Sequence, residues 1–241
     1  MKAKPSLFLM LTLFAAPMAF GDLISDLAGR ADKGEVDAQL ELAEIYTRGE
    51  AAPKDEAAAV QWFSKAAEQG NAVAQFKLGQ RYLKGEGVTK DAKAGIEWLT
   101  KAAEQGNGEA QMVLGGIFIA GKDVLKNSTE AAKWFMMSAQ TGNPVAACQI
   151  GRMHMTGAGV TKDDVEAYKW ARLAAAGGDL SAKKMVFVLE QRMKPGDVIE
   201  GQIRFQDFQE QKKAAETLGA PPVDPVDPTV PVEPVAPIEP E

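Results

Sequence analysis

The sequence predicts an all-α repeat fold, a solenoid of about four helix-turn-helix units of 36 residues each. Three observations carry this. All four tryptophans, Trp62, Trp98, Trp134 and Trp170, stand 36 residues apart. Small and apolar columns keep the same step: Ala38/Ala74/Ala110/Ala146/Ala182, Leu42/Leu78/Leu114/Ile150 and Ala67/Ala103/Ala139/Ala175. Two glycine columns, Gly49/Gly85/Gly121/Gly157 and Gly34/Gly70/Gly106/Gly142/Gly178, interrupt the period at two places, so each unit breaks into two helices.

Residues 1–21 stand outside this pattern. Lys2 and Lys4 make a basic start, Leu7–Ala16 is an apolar run shorter than the ~20 residues of a membrane span, and Ala19-Phe20-Gly21 offers small residues for cleavage. This reads as a secretory signal cleaved before Asp22, with an uncleaved N-terminal anchor as the alternative, so the expected location is periplasmic or secreted. No later stretch is apolar enough to span a membrane, and no Cys follows the apolar run to take a lipid.

Residues 22–36 read as an N-terminal capping helix, a lone helix B with Asp26 in the Trp column. Residues 37–179 hold the four repeats. In the first, helix A is expected over 38–48 and helix B over 56–69. The glycine after helix A suits the left-handed C′ position. Asp55, Asp91, Asn127 and Asp163 are expected to cap helix B, with Glu130 and Glu166 completing capping boxes. Asn71, Asn107 and Asn143 can cap the following helix A, where Pro144 takes the first helical position. The small column Ala43/Gly79/Gly115/Gly151 lets a neighbouring helix approach closely, while Trp and Leu fill the space between units.

Residues 180–218 read as C-terminal capping helices. The first keeps Ala182 in register, and the second, restarted at Pro195, places Val198, Phe205 and Phe208 on one face to seal the last edge of the core. Residues 219–241 form an acidic tail with proline at every third position from Pro222 to Pro240, the period of polyproline II. The tail reads as a spacer or, alternatively, as a ligand for a proline-reading partner.

The segments LGQRYLKGEGVTKDAKAGIEWLTKAAEQGN and IGRMHMTGAGVTKDDVEAYKWARLAAAGG resemble the Sel-one-like repeat (SLR) family, a relative of the tetratricopeptide solenoids. The resemblance covers about residues 34–202. It implies a right-handed α/α superhelix used mostly for protein–protein interaction, with helix A on the concave side. Ala51, Asp123 and Gly95 depart from the family pattern. A cysteine-rich branch of that family is linked to penicillin binding and β-lactam hydrolysis, but its Cys pairs are missing here, so a cell-wall or β-lactam enzyme is the weakest alternative.

Charge narrows the partners. The formal net charge of −6 becomes −8 without Lys2 and Lys4, which disfavours nucleic acid and anionic lipid. No cofactor or metal site is expected, and no catalytic residue. His154, the only histidine, shares a column with Tyr46, Tyr82 and Phe118 and reads as packing. Cys148, the only cysteine, shares one with Leu40, Phe76 and Met112 and reads as a small buried hydrophobe. The run from Gly116 to Lys122 mimics a phosphate-loop spacing but falls on helix A, and the Asn127-Ser128-Thr129 sequon is better explained by a helix cap.

What remains is a surface. Five helix A columns are taken as facing away from the core: Glu41/Lys77/Val113/Gln149, Glu44/Gln80/Gly116/Arg152, Ile45/Arg81/Ile117/Met153, Thr47/Leu83/Ile119/Met155 and Arg48/Lys84/Ala120/Thr156. Charges in the first two repeats give way to apolar residues in the third. The expected partner-binding residues are therefore Val113, Ile117, Ile119, Arg152, Met153 and Met155, joined by Met136 and Met137 of helix B. They point to an exported adaptor or scaffold for a protein or peptide. A structural cell-envelope component tethered by the tail is the alternative.

Overall fold

The structure, a computed structural model, describes residues 16–122 and 124–218, and within them it holds eleven α-helices and no strand. Most of the expected signal, Asp123 and the Pro-rich tail lie outside the described residues. An opening helix α1 (Ala16–Asp32) precedes four helix A and helix B pairs. These are α2 (Val36–Arg48) with α3 (Glu56–Glu68), α4 (Ala72–Lys84) with α5 (Ala92–Glu104), α6 (Gly108–Ala120) with α7 (Ser128–Gln140), and α8 (Pro144–Thr156) with α9 (Asp164–Ala176). Two further helices follow, α10 (Leu180–Arg192) and α11 (Pro195–Leu218). Helix α2 starts two residues before the expected Ala38, and α1 begins at Ala16 rather than Asp22.

Local chemistry sets these bounds. Each helix A stops at its glycine, and Gly49, Gly85, Gly121 and Gly157 all adopt φ between 64° and 77°. Asp55, Asp91, Asn127 and Asp163 each accept from the backbone N–H three residues on, at 2.9–3.0 Å. The expected capping boxes do not close. The N–H groups of Asn127 and Asp163 donate instead to the carbonyls of Phe118 and His154, as those of Asp55 and Asp91 donate to Tyr46 and Tyr82. The cap thereby ties the start of each helix B to the preceding helix A, and Glu130 and Glu166 are left to pair with Lys133 and Lys169.

The chain divides into two compact bodies between Asn107 and Gly108. In the N-terminal body Leu27, Ala31, Ala38 and Leu42 form one core cluster. Ala43, Ala59, Val60, Phe63, Ala66, Ala67, Ala74 and Leu78 form a second, flanked by half-buried Trp62 and Trp98. The small column does what its pattern predicts: a Cβ on Gly79 would stand 2.8 Å from Leu99 Cγ and 2.9 Å from the Gly95 carbonyl oxygen. Gly95, a departure from the family pattern, thus belongs to the same close crossing.

The C-terminal body packs Ala131, Phe135, Ala146, Ile150, Met153, Trp170 and Ala182 into one cluster and Ala167, Tyr168, Ala171, Met185 and Leu189 into another. Here Trp134 and Trp170 are buried. A Cβ on Gly115 would fall 2.6 Å from the Phe135 ring.

Helix α11 packs back along α9, so its apolar face meets that helix rather than the far side of α10. Phe208 meets Trp170 edge-on at 5.3 Å between centroids, and Phe205 is buried. Arg204 reaches Glu166 at 2.9 Å. Burial works against the charge on Glu166, but Lys169 and Arg204 outweigh it and hold the carboxyl below its usual range.

Candidate partner-binding face

On an α-helix, a stripe that faces one way repeats at i, i+3 or i+4, and i+7. In α6 that stripe is Glu109, Val113, Gly116 and Ala120, and a Cβ on Gly116 would meet nothing within 4 Å. In α8 the same positions hold Val145, Gln149, Arg152 and Thr156. Arg152 is exposed and donates to the Gln149 side-chain oxygen.

Three of the five columns taken as outward are so; two turn inward. Ile45/Arg81/Ile117/Met153 turns inward: Arg81 and Met153 are both 5% exposed, and Ile45 and Ile117 are half-buried. Met153 belongs to the core of the C-terminal body and offers no surface. The guanidinium of Arg81 is spent inside the N-terminal body on Glu56 and on Thr47 Oγ1, the latter at 2.5 Å. Thr47/Leu83/Ile119/Met155 also leans in. Ile119 packs on the Phe135 cluster and Met155 on the Tyr168 cluster.

Met136 packs on the Phe135 cluster too. Met137 shares its column with Lys65 and Lys101, whose ammonium groups lie over Trp62 and Trp98 at 3.8 and 4.1 Å. In the third repeat Lys133 takes that place over Trp134, and Met137 is half-buried on helix B, apart from the helix A stripe. Of the eight nominated residues, Val113 and Arg152 remain on the outward stripe. Gly116, Ala120, Val145, Gln149 and Thr156 join them. The 36-residue columns already carried this assignment, had the inward column been recognised from Met153, which falls three residues after Ile150 and seven after Ala146.

The equivalent stripes of the N-terminal body are charged and internally paired. In α2 they are Asp37, Glu41, Glu44 and Arg48, and in α4 Val73, Lys77, Gln80 and Lys84. Glu44 accepts from Arg48 at 3.4 Å and pairs with Lys77 at 3.2 Å.

The other candidates are structural. His154 is 7% exposed, with Nδ1 3.1 Å from the Thr161 carbonyl oxygen and Nε2 buried without a partner. Burial pushes its pKa down. Cys148 is half-buried rather than fully buried, and desolvation, aided by Asp179, raises its thiol pKa. Asn127 spends its side chain on the cap of α7. Among the described residues no three His, Cys, Asp or Glu side chains come together as metal ligands, and no helix is long and apolar enough to cross a membrane.

The Sel1 repeat profile matches four consecutive stretches, residues 36–71, 72–107, 108–143 and 144–179. Among solved structures, a protective antigen of uropathogenic Escherichia coli displaying an SLR fold is 28% identical with a TM-score of 0.69, covering 85% of this chain and 48% of its own. A Sel1 repeat protein from Oxalobacter formigenes is 33% identical with a TM-score of 0.64, covering 69% of this chain and 48% of its own. The chain therefore spans about half the length of each. No curated protein matches it.

Proposed function

The chain belongs to the Sel1 repeat family, and from that premise we propose that it is an exported adaptor that binds a protein or peptide on the helix A stripe of its C-terminal body. Sel1 repeat proteins generally mediate protein–protein interaction, and their fold is generally a non-catalytic scaffold. The observation that carries the finer reading is a contrast at equivalent positions. Val113, Gly116, Ala120, Val145, Gln149 and Thr156 leave a surface whose charges are Glu109 and Arg152 alone, where α2 and α4 carry paired charges. A stripe so sparsely charged, with open space above Gly116, can be desolvated by a partner at lower cost than the paired charges of α2 and α4.

Export rests on the sequence of residues 1–21. N-terminal sequencing of protein recovered outside the cytoplasm should begin at Asp22. The binding face is tested by affinity capture with quantitative mass spectrometry, comparing the native chain with a Val113→Lys, Gly116→Glu, Arg152→Glu variant of unchanged thermal unfolding. Loss of a reproducibly captured partner supports the stripe. Full retention in the variant removes it as the site.

A further inference from the structure

Helix α10 occupies the place of a fifth helix A without a helix B of its own. Its Ala182 and Leu189 enter the core as their columns do in the repeats, and Met185, in the otherwise outward column of Gln149, turns in as well, but α11 packs on α9. The helix is left with Leu180 71%, Phe187 63% and Val188 48% exposed, beside exposed Lys183 and Lys184. Neither lysine has an ion-pair partner among the described residues.

Phe187 stands 36 residues after Gly151, in the small column Ala43/Gly79/Gly115/Gly151. At Gly79 and Gly115 even a Cβ would come within 2.8 and 2.6 Å of helix B side chains. A phenyl ring in that column holds off a helix at the spacing of the other pairs, so the open face suits a thinner, extended chain.

We propose that this face is covered by the chain's own C-terminal segment, residues 221–241. In the three-residue period of polyproline II, that sequence sorts into three faces. One is proline throughout from Pro222 to Pro240. A second is Val223, Val226, Thr229, Val232, Val235 and Ile238. The third carries Asp224, Asp227, Glu233 and Glu239, and the segment contains no Lys or Arg. The Val/Ile face matches Phe187 and Val188, and the acidic face matches Lys183 and Lys184.

The reach is sufficient. Helix α11 is 24 residues long, about 36 Å at 1.5 Å per residue. The 23 residues after Leu218 extend about 70 Å at ~3.1 Å each, enough to double back along α11 and lie beside α10. Tethering gives the segment an effective concentration near millimolar, so a weak contact suffices.

Hydrogen exchange of the α10 amides tests this, comparing the full chain with one lacking residues 221–241. The expected result is slowing by about threefold or more in the full chain, confined to α10 and neighbouring residues. A full-length Phe187→Ser, Lys183→Glu, Lys184→Glu variant, altered only at exposed positions, should exchange like the truncated chain. Equal α10 exchange with and without the segment overturns the proposal. So does protection that appears only as protein concentration rises, which would assign the face to a second copy.

Discussion

Gly79 and Gly116 are both helix A glycines, yet the same methyl group should act on them in opposite directions. At Gly79 it would press on Leu99 and the Gly95 carbonyl, so Gly79→Ala is expected to cost about 1–3 kcal/mol through overpacking. Over Gly116 there is open space, and Gly116→Ala should stabilise by roughly 0.5–1 kcal/mol through helix propensity. Urea midpoints at constant m-value check both signs. His154 makes a pH prediction at the same scale. Burial lowers its folded pKa, against the Thr161 carbonyl and the nearby carboxylates of Glu166 and Asp163, with Lys169 acting alongside burial. The unfolded chain therefore takes up the proton first, near pH ~6.5. The associated stability is complete above that pH and declines as the pH falls toward the folded value. Phe118 shows that the column accepts a phenyl ring, so His154→Phe should abolish that decline while sparing the carboxylate step of Glu166 at lower pH. Melting temperatures of the two proteins from pH 8 to pH 5 would show it; parallel curves would assign the decline elsewhere.

Between helices, the packing is fixed by side-chain amides as well as by apolar columns. Gln39 donates to the Ala31 carbonyl at 3.0 Å and Gln75 to that of Ala67 at 3.1 Å, each bridging one helix end to the next helix A. Gln69 and Gln105 donate in turn to the Gln39 and Gln75 side chains at 2.8 and 2.7 Å. In the third repeat Ser138 Oγ also reaches the Gly108 carbonyl, at 2.9 Å. Gln75→Leu keeps the volume but removes one donor from the Ala67 carbonyl, which still accepts from the Gly70 N–H, and one acceptor from Gln105, so a loss of about 0.5–1.5 kcal/mol is expected in chemical denaturation. A smaller loss for Gln105→Leu would follow from its exposed position. These glutamines stand on the 36-residue step and were legible as a column, but periodicity does not distinguish a buried amide from a solvated one. The caps and glycine stops were legible because each uses a residue type with one local job. The inward turn of Met153 and Ile119 was not, because a long apolar side chain fits the core and the surface equally well. The path of α11 was not legible either: Val198, Phe205 and Phe208 define a buried face without saying which helix it meets.

Across the whole molecule, stability is assembled from neighbours. Each described core cluster draws on helices close together in the chain, Leu27 with Leu42 in the N-terminal body and Tyr168 with Leu189 in the C-terminal body. In such an array a local lesion propagates through successive interfaces and weakens with distance. Leu99, fully buried against Gly79, is a suitable lesion site, and Leu99→Ala should remove about 2–5 kcal/mol locally. The expected outcome is faster hydrogen exchange in α4 and α5, with α9, α10 and α11 closer to their native rates. Uniform acceleration from α2 to α11 would instead mean that the chain opens only as one cooperative block, and a change in the Val113 and Arg152 stripe would then be expected from any core lesion. The distinction bears on the proposed function, since a chain whose bodies open separately keeps the Val113 and Arg152 stripe folded when the N-terminal body is damaged.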